Sequence, residues 1–188
     1  MSYAALGCRL ALILVFATSG LSKVRRHAFA DLVRMLRTVW VVPVGLARTA
    51  GVALVASELG IAAALATGLG TPTGFAGAAL LLALFTLLIA VAIRRRATVA
   101  CRCFGTGGTP LGAAHLVRNV LLFAVAGGGF WVQQQEADVA HHPGGVAVTL
   151  AAGAAVAALL IRFDELVDLF AARPTSTVSR APTKTTTT

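Results

Sequence analysis

FAGAALLLALFTLLIAVAI, residues 75–93, runs without a single charged side chain and stops at Arg94-Arg95-Arg96. A helix of that length rises close to the thickness of a bilayer's hydrocarbon core, for which about 20 predominantly apolar residues are needed. The rest of the chain has the same character. Hydrophobic residues make up 57% of the 188 and charged residues 12%, with a mean hydropathy of +0.84. Charged residues supply about a quarter of an ordinary soluble domain, so a water-soluble fold could not cover its apolar exterior. A fold whose exterior faces lipid need not. The net charge of +9 would point to nucleic acid in a soluble protein. Here the basic residues sit between apolar runs and are not interleaved with aromatics, so nucleic-acid binding is set aside in favour of membrane orientation.

Four further runs approach spanning length, at about 3–21, 44–67, 111–132 and 145–161, the last rich in Ala and Gly. The first has no basic region ahead of it and carries Arg9 inside, unlike a cleaved signal peptide, so it reads as a retained helix. The expected fold is an all-α membrane bundle over residues 1–170, four helices with a fifth at 145–161, followed by a disordered tail at 171–188. Lys and Arg set the sidedness. Segment 23–42 holds Lys23, Arg25, Arg26, Arg34 and Arg37 against Asp31; segment 94–110 holds Arg94, Arg95, Arg96 and Arg102; segment 132–144 holds Glu136 and Asp138. This alternation puts the N-terminus outside and the C-terminus in the cytoplasm of a bacterial cell (inner) membrane. Within the first connection, Phe29, Leu32, Val33, Leu36 and Trp40 follow one helical face. They imply an interfacial helix at about 26–41 lying on the inner leaflet and ended by Pro43.

Chemistry concentrates at Cys101-Arg102-Cys103-Phe104-Gly105. Two cysteines one residue apart close a small, strained ring when oxidised, and strained exposed disulfides are the oxidising, labile ones. Arg102 and the Arg94–Arg96 run favour the thiolate, which is the reactive form. Two reduced, inert cysteines at a helix end remain an alternative. So does a zinc site completed by His27 and His115, although these lack clustered ligand spacing and no metal is assigned. Cys8 reads as a packing residue. Glu58 falls mid-helix, where a carboxylate needs a partner or a function. Arg48 lies about 15 Å away along the same helix, which leaves Arg9 and Arg118 as candidate partners. Arg118-Asn119 is read as a headgroup anchor or as a support for the thiolates. His141-His142-Pro143 reads as a solvated loop, and Gly127-Gly128-Gly129 as a surface for close helix contact.

Taken together, Ser19-Gly20-Leu21-Ser22-Lys23, Glu58-Leu59-Gly60, the arginines after the third run, the cysteine pentapeptide and Arg118-Asn119 resemble the methylamine-utilisation MauE family, which is related to the DoxX-like group. The resemblance covers about residues 8–130 and implies a DoxX-like four-helix core. It also implies Cys101 and Cys103 as a redox element serving maturation of disulfide-containing exported proteins with a thioredoxin-like or other redox partner. Arg102 stands where Gly is common in that family. Two other functions stay open: a non-enzymatic membrane scaffold for a redox complex, and a small quinone- or proton-coupled protein centred on Glu58. The sequence leaves the oligomeric state undetermined.

Overall fold

The computed structural model describes residues 2–40, 43–68, 70–94, 113–135 and 142–170. Cys101, Arg102, Cys103 and the tail 171–188 lie outside the described residues. The elements are α1 (Tyr3–Val24), α2 (Arg26–Trp40), α3 (Val44–Thr67), α4 (Thr71–Arg94), α5 (Ala113–Gln134), α6 (Pro143–Ile161) and α7 (Phe163–Phe170), and no strand occurs among the described residues. Five of the helices, all but α2 and α7, are long and apolar enough to cross a membrane. The chain is an all-α, multi-pass membrane protein. Helices suit that solvent because each satisfies its backbone polar groups internally.

Most ends carry a local reason. Ser2 caps α1 by accepting from the Ala5 N–H at 3.3 Å. Pro143 opens α6, where its missing N–H costs nothing. Gly68 ends α3 with φ 75°, a left-handed conformation natural to glycine, and Gly70 follows with φ 72°. α4 begins at Thr71, four residues before the apolar run at 75–93, so the turn from α3 is short.

Side-chain contacts fix the directions of the spans. Arg9, near the start of α1, meets the end of α3, whereas Lys23, near the end of α1, meets Glu58 further back along α3. The two helices are antiparallel. Gly129 near the end of α5 lies against Phe75 near the start of α4, so that pair is antiparallel too. α6 runs parallel to α1: the His142 N–H donates to Tyr3 Oη at 2.8 Å, and Gly153, about three turns further along α6, lies against Gly7, further along α1 in the same direction. The five spans thus alternate in direction, as a chain crossing a bilayer five times must. Leu12, Phe16, Leu65, Phe75, Leu82 and Leu122 form the buried centre, while Leu80 (74% exposed), Leu87, Trp131 and Val148 face outward. Such an exterior is stable only against lipid.

Three elements differ from the sequence reading. Of the three consecutive glycines in α5, only Gly129 makes a close approach, where a Cβ would collide with the Phe75 ring; a Cβ at Gly127 or Gly128 would meet no other element within 4 Å. Neighbouring helical residues point about 100° apart, so three in a row cannot serve one contact. α2 turns its apolar face onto the bundle: Phe29 and Val33 pack on Gly51 of α3, and Leu32, Met35 and Leu36 close over the bundle interior. A lipid-immersed face was expected. α7, not read from the sequence, packs on α5 and α6.

A Cβ at Gly153 would stand 2.7 Å from the Gly7 carbonyl oxygen, a backbone atom that cannot rotate aside. Gly153→Leu should therefore separate α1 from α6 and destabilise the protein by about 1–3 kcal/mol or more. Gly144→Ala, in open space, should leave the melting temperature in detergent unchanged or raise it.

Candidate functional site

Lys23 belongs to the last turn of α1, not to the basic connection that follows. The apolar run ends at Leu21, yet the helix continues to Val24, and the Lys23 side chain folds inward to 3% exposure. Its ammonium donates to Glu58 Oε1 at 2.6 Å, to Glu58 Oε2 at 2.9 Å and to Ser19 Oγ at 2.6 Å. Three contacts match the three protons of an ammonium group. Ser19 in turn donates to Glu58 Oε1 at 3.0 Å, which closes a ring of three side chains. The Phe85 ring lies 5.9 Å from Nζ, within cation–π range.

Helix periodicity explains the assembly. Ser19 and Lys23 are four residues apart and share one face of α1. Gly20 lies beside them, and a Cβ there would meet Leu59 Cδ2 at 2.7 Å. The missing side chain is what lets α3 come close enough for Glu58 to reach Lys23. Glu58 is 1% exposed, which suits a carboxylate only because the cation is in contact.

The ring borders a cavity of ≈ 60 Å³ at the end of the bundle where α1 and α4 finish and α5 begins. His115, Arg118 and Asn119 of α5, all buried, line it beside Phe85 and Ile89 of α4, and Leu32, Met35 and Leu36 of α2 roof it. One water needs roughly 10–15 Å³ of such space, so the cavity has room for a few. α2 is thus a cover over a largely apolar chamber with a cluster of buried polar side chains in its wall.

The sequence candidates divide accordingly. Glu58 and Arg118 line the same chamber, but the cation at 2.6 Å from Glu58 is Lys23, which charge patterning alone assigns to the basic connection after α1. Arg9, proposed as a partner for Glu58, is at the other end of α3. Its guanidinium donates to the carbonyls of Leu65 and Ala66, two of the terminal acceptors that a helix cannot satisfy itself. The positive charge there also opposes the negative end of the helix dipole. Cys8 packs against the apolar core as a free thiol, about 22 Å along α1 from Lys23. His27 is exposed on α2 while His115 is buried at the chamber, and Cys101, Arg102 and Cys103 lie outside the described residues. Lys23 and Ser19 leave a signal in the sequence: a Ser-x-x-x-Lys pair closing an apolar helix, and a lone Glu in another, are complementary and both costly in lipid.

Three of the short sequence pieces singled out above meet here. Ser19, Gly20 and Lys23 come from the first, Glu58 and Leu59 from the second, and Arg118 and Asn119 from the third. A family model described as "Methylamine utilisation protein MauE" matches residues 1–132, a span that contains every residue of the chamber. No curated protein and no solved structure matches the chain.

Removing one member of the ion pair strands the other charge in the bundle, at a cost of about 3–5 kcal/mol. Lys23→Met and Glu58→Leu should each lower the melting temperature in detergent strongly. The double variant should recover most of the loss, giving a large favourable coupling in a double-mutant cycle. Additive losses would mean that the pair contributes nothing as a pair.

Proposed function

The chain belongs to the methylamine utilisation MauE family, and from that premise we propose that it is a membrane thiol–disulfide redox protein whose working pair is Cys101 and Cys103. The observation that carries the reading is the convergence of family-like pieces on one buried chamber at the end of the bundle where α4 stops and α5 starts. The connection between those two helices is the one that contains Cys101-Arg102-Cys103.

The reaction is a dithiol–disulfide exchange with a thioredoxin-like partner. The thiolate of one cysteine attacks a partner disulfide sulfur, forming a mixed disulfide and releasing one partner thiolate. The second cysteine then attacks the first cysteine's sulfur, which forms the Cys101–Cys103 disulfide and frees the partner's second thiolate. Two electrons pass to the partner, and the reverse sequence returns them. Arg102 between the two thiols, and Arg118 on α5, favour the thiolate form. The function served is maturation of exported proteins.

We assign the chamber end of the bundle to the cytoplasmic side of a bacterial inner membrane. Arg25, Arg26, Arg34 and Arg37 in the first connection and Arg94–Arg96 in the third support this, against Glu136 and Asp138 in the connection at the opposite end. With Lys23 withdrawn into the bundle, the first connection carries four arginines against Asp31, a net of 4 − 1 = +3, still enough to orient it. Disulfide chemistry of exported proteins proceeds outside, so on this topology the dithiol draws on a cytoplasmic reductant unless residues 105–112 fold back into the membrane. A second reading follows from Glu58 on its chamber: a proton- or quinone-coupled protein in which the Lys23–Glu58 pair is the working element.

Replacing both Cys101 and Cys103 with Ser should abolish maturation of a disulfide-dependent exported protein while the variant still inserts into the membrane. An impermeant maleimide should label both thiols from the cytoplasmic side after reduction. Unchanged maturation would favour a scaffold role. Loss of function in Glu58→Gln, with the cysteine variant fully active, would favour the proton- or quinone-coupled reading.

A further inference from the structure

α2 does more than cover the chamber. Its outward side meets the beginning of α3 in a groove of ≈ 310 Å³, lined by Phe29, Ala30, Val33, Arg34 and Arg37 from α2 and by Arg48 from α3. Residues 30, 33, 34 and 37 recur at helical spacing on one face, and Arg48 is brought to that face from a different helix. The floor is built, not incidental: Gly51 has no side chain, so the Phe29 ring and Val33 lie directly against α3, where a Cβ would meet Phe29 Cε2 at 3.3 Å.

We propose that this groove binds the headgroup of an anionic phospholipid, with its phosphate between the three guanidinium groups and its acyl chains running down the apolar side of α3. Three observations support this. Arg48 is four residues after the first residue of a spanning helix, roughly 6 Å along its axis, which is headgroup depth. On the same helical face, four residues before and after it, Val44 and Val52 are exposed apolar residues that acyl chains would cover. Finally, the local charge is three arginines against Asp31, a net of 3 − 1 = +2. Asp31 lies 3.4 Å from Arg34, which is itself 76% exposed. An ion pair whose arginine is so open to solvent contributes little, and a phosphate competes for that guanidinium. Guanidinium is the group of choice for such recognition because its planar fork meets two phosphate oxygens at once. A net +2 matches the two phosphates of a cardiolipin-type lipid better than the single phosphate of phosphatidylglycerol.

The test uses the full chain purified in an uncharged detergent and titrated separately with cardiolipin, phosphatidylglycerol and phosphatidylcholine, with bound lipid read by native mass spectrometry. Each arginine near a lipid phosphate is worth about 1 kcal/mol, so anionic lipid should bind about tenfold or more tighter than phosphatidylcholine. Replacing Arg34, Arg37 and Arg48 together with Gln should remove that preference, and Arg48→Gln alone should lower it severalfold. Arg162→Gln, an exposed arginine paired with Glu165 after α6, should leave it intact. The proposal is overturned if the triple variant keeps the preference, if Arg162→Gln loses it equally, or if phosphatidylcholine binds as tightly as the anionic lipids. Displacement of the lipid by inorganic phosphate on the order of millimolar would overturn it as well, because the groove would then be a simple anion site.

Discussion

A lysine and a glutamate in contact, both almost wholly withdrawn from solvent, fix how α1 and α3 sit against each other. Neither could be left ionised and alone in an apolar bundle, because an unpaired charge costs several kcal/mol in a low-dielectric setting. Together, and with Ser19 completing the ring, they satisfy one another. The pair is directional in a way that the surrounding packing is not. Alanine and leucine surfaces can slide past one another with modest loss, whereas Lys23 reaches Glu58 only in one register and only where Gly20 lets the helices close. At the other end of the same two helices, Arg9 on the Leu65 and Ala66 carbonyls supplies a second polar fix. Two polar contacts pin an otherwise apolar interface at both ends.

Most of the architecture could be read in the sequence because lipid solvation leaves so coarse a signal. Runs of about twenty apolar residues are hard to mistake, and the five spans follow from them. Around the buried ion pair the sequence misleads because a polar residue is placed by simple rules. Lys23 follows an apolar run and precedes two arginines, so a rule that counts Lys and Arg near helix ends assigned it to the connection. The rule has no access to the partner 35 residues away that draws it inside. The partner of Glu58 was missed for the same reason, since only residues already assigned to spans were considered. The glycine triplet of α5 was read as one surface, although helical geometry gives only one of the three to any neighbour.

α2 shows how amphipathic character can be read correctly and its orientation missed. The apolar face of 29, 32, 33, 36 and 40 suits lipid as well as it suits protein, and the sequence contains nothing that decides between them. The deciding features are in α3: Gly51 leaves a slot for Phe29, and the chamber around Glu58 leaves an opening that Leu32, Met35 and Leu36 fill. The helix then presents its arginines outward, where they meet Arg48.

This arrangement links the two polar regions of the molecule through one short helix. Leu32, Met35 and Leu36 close the chamber, while Arg34 and Arg37, interleaved with them in sequence, face the groove. A helix is stiff over fifteen residues, so α2 can tilt or lift only as a body. Any tilt that disturbs the arginine face must also change the seal over Lys23 and Glu58. The seal over the ion pair and the arginine face are therefore positioned together by one helix: wherever packing on Gly51 and the chamber sets α2, the place of Arg34 and Arg37 beside Arg48 is set with it.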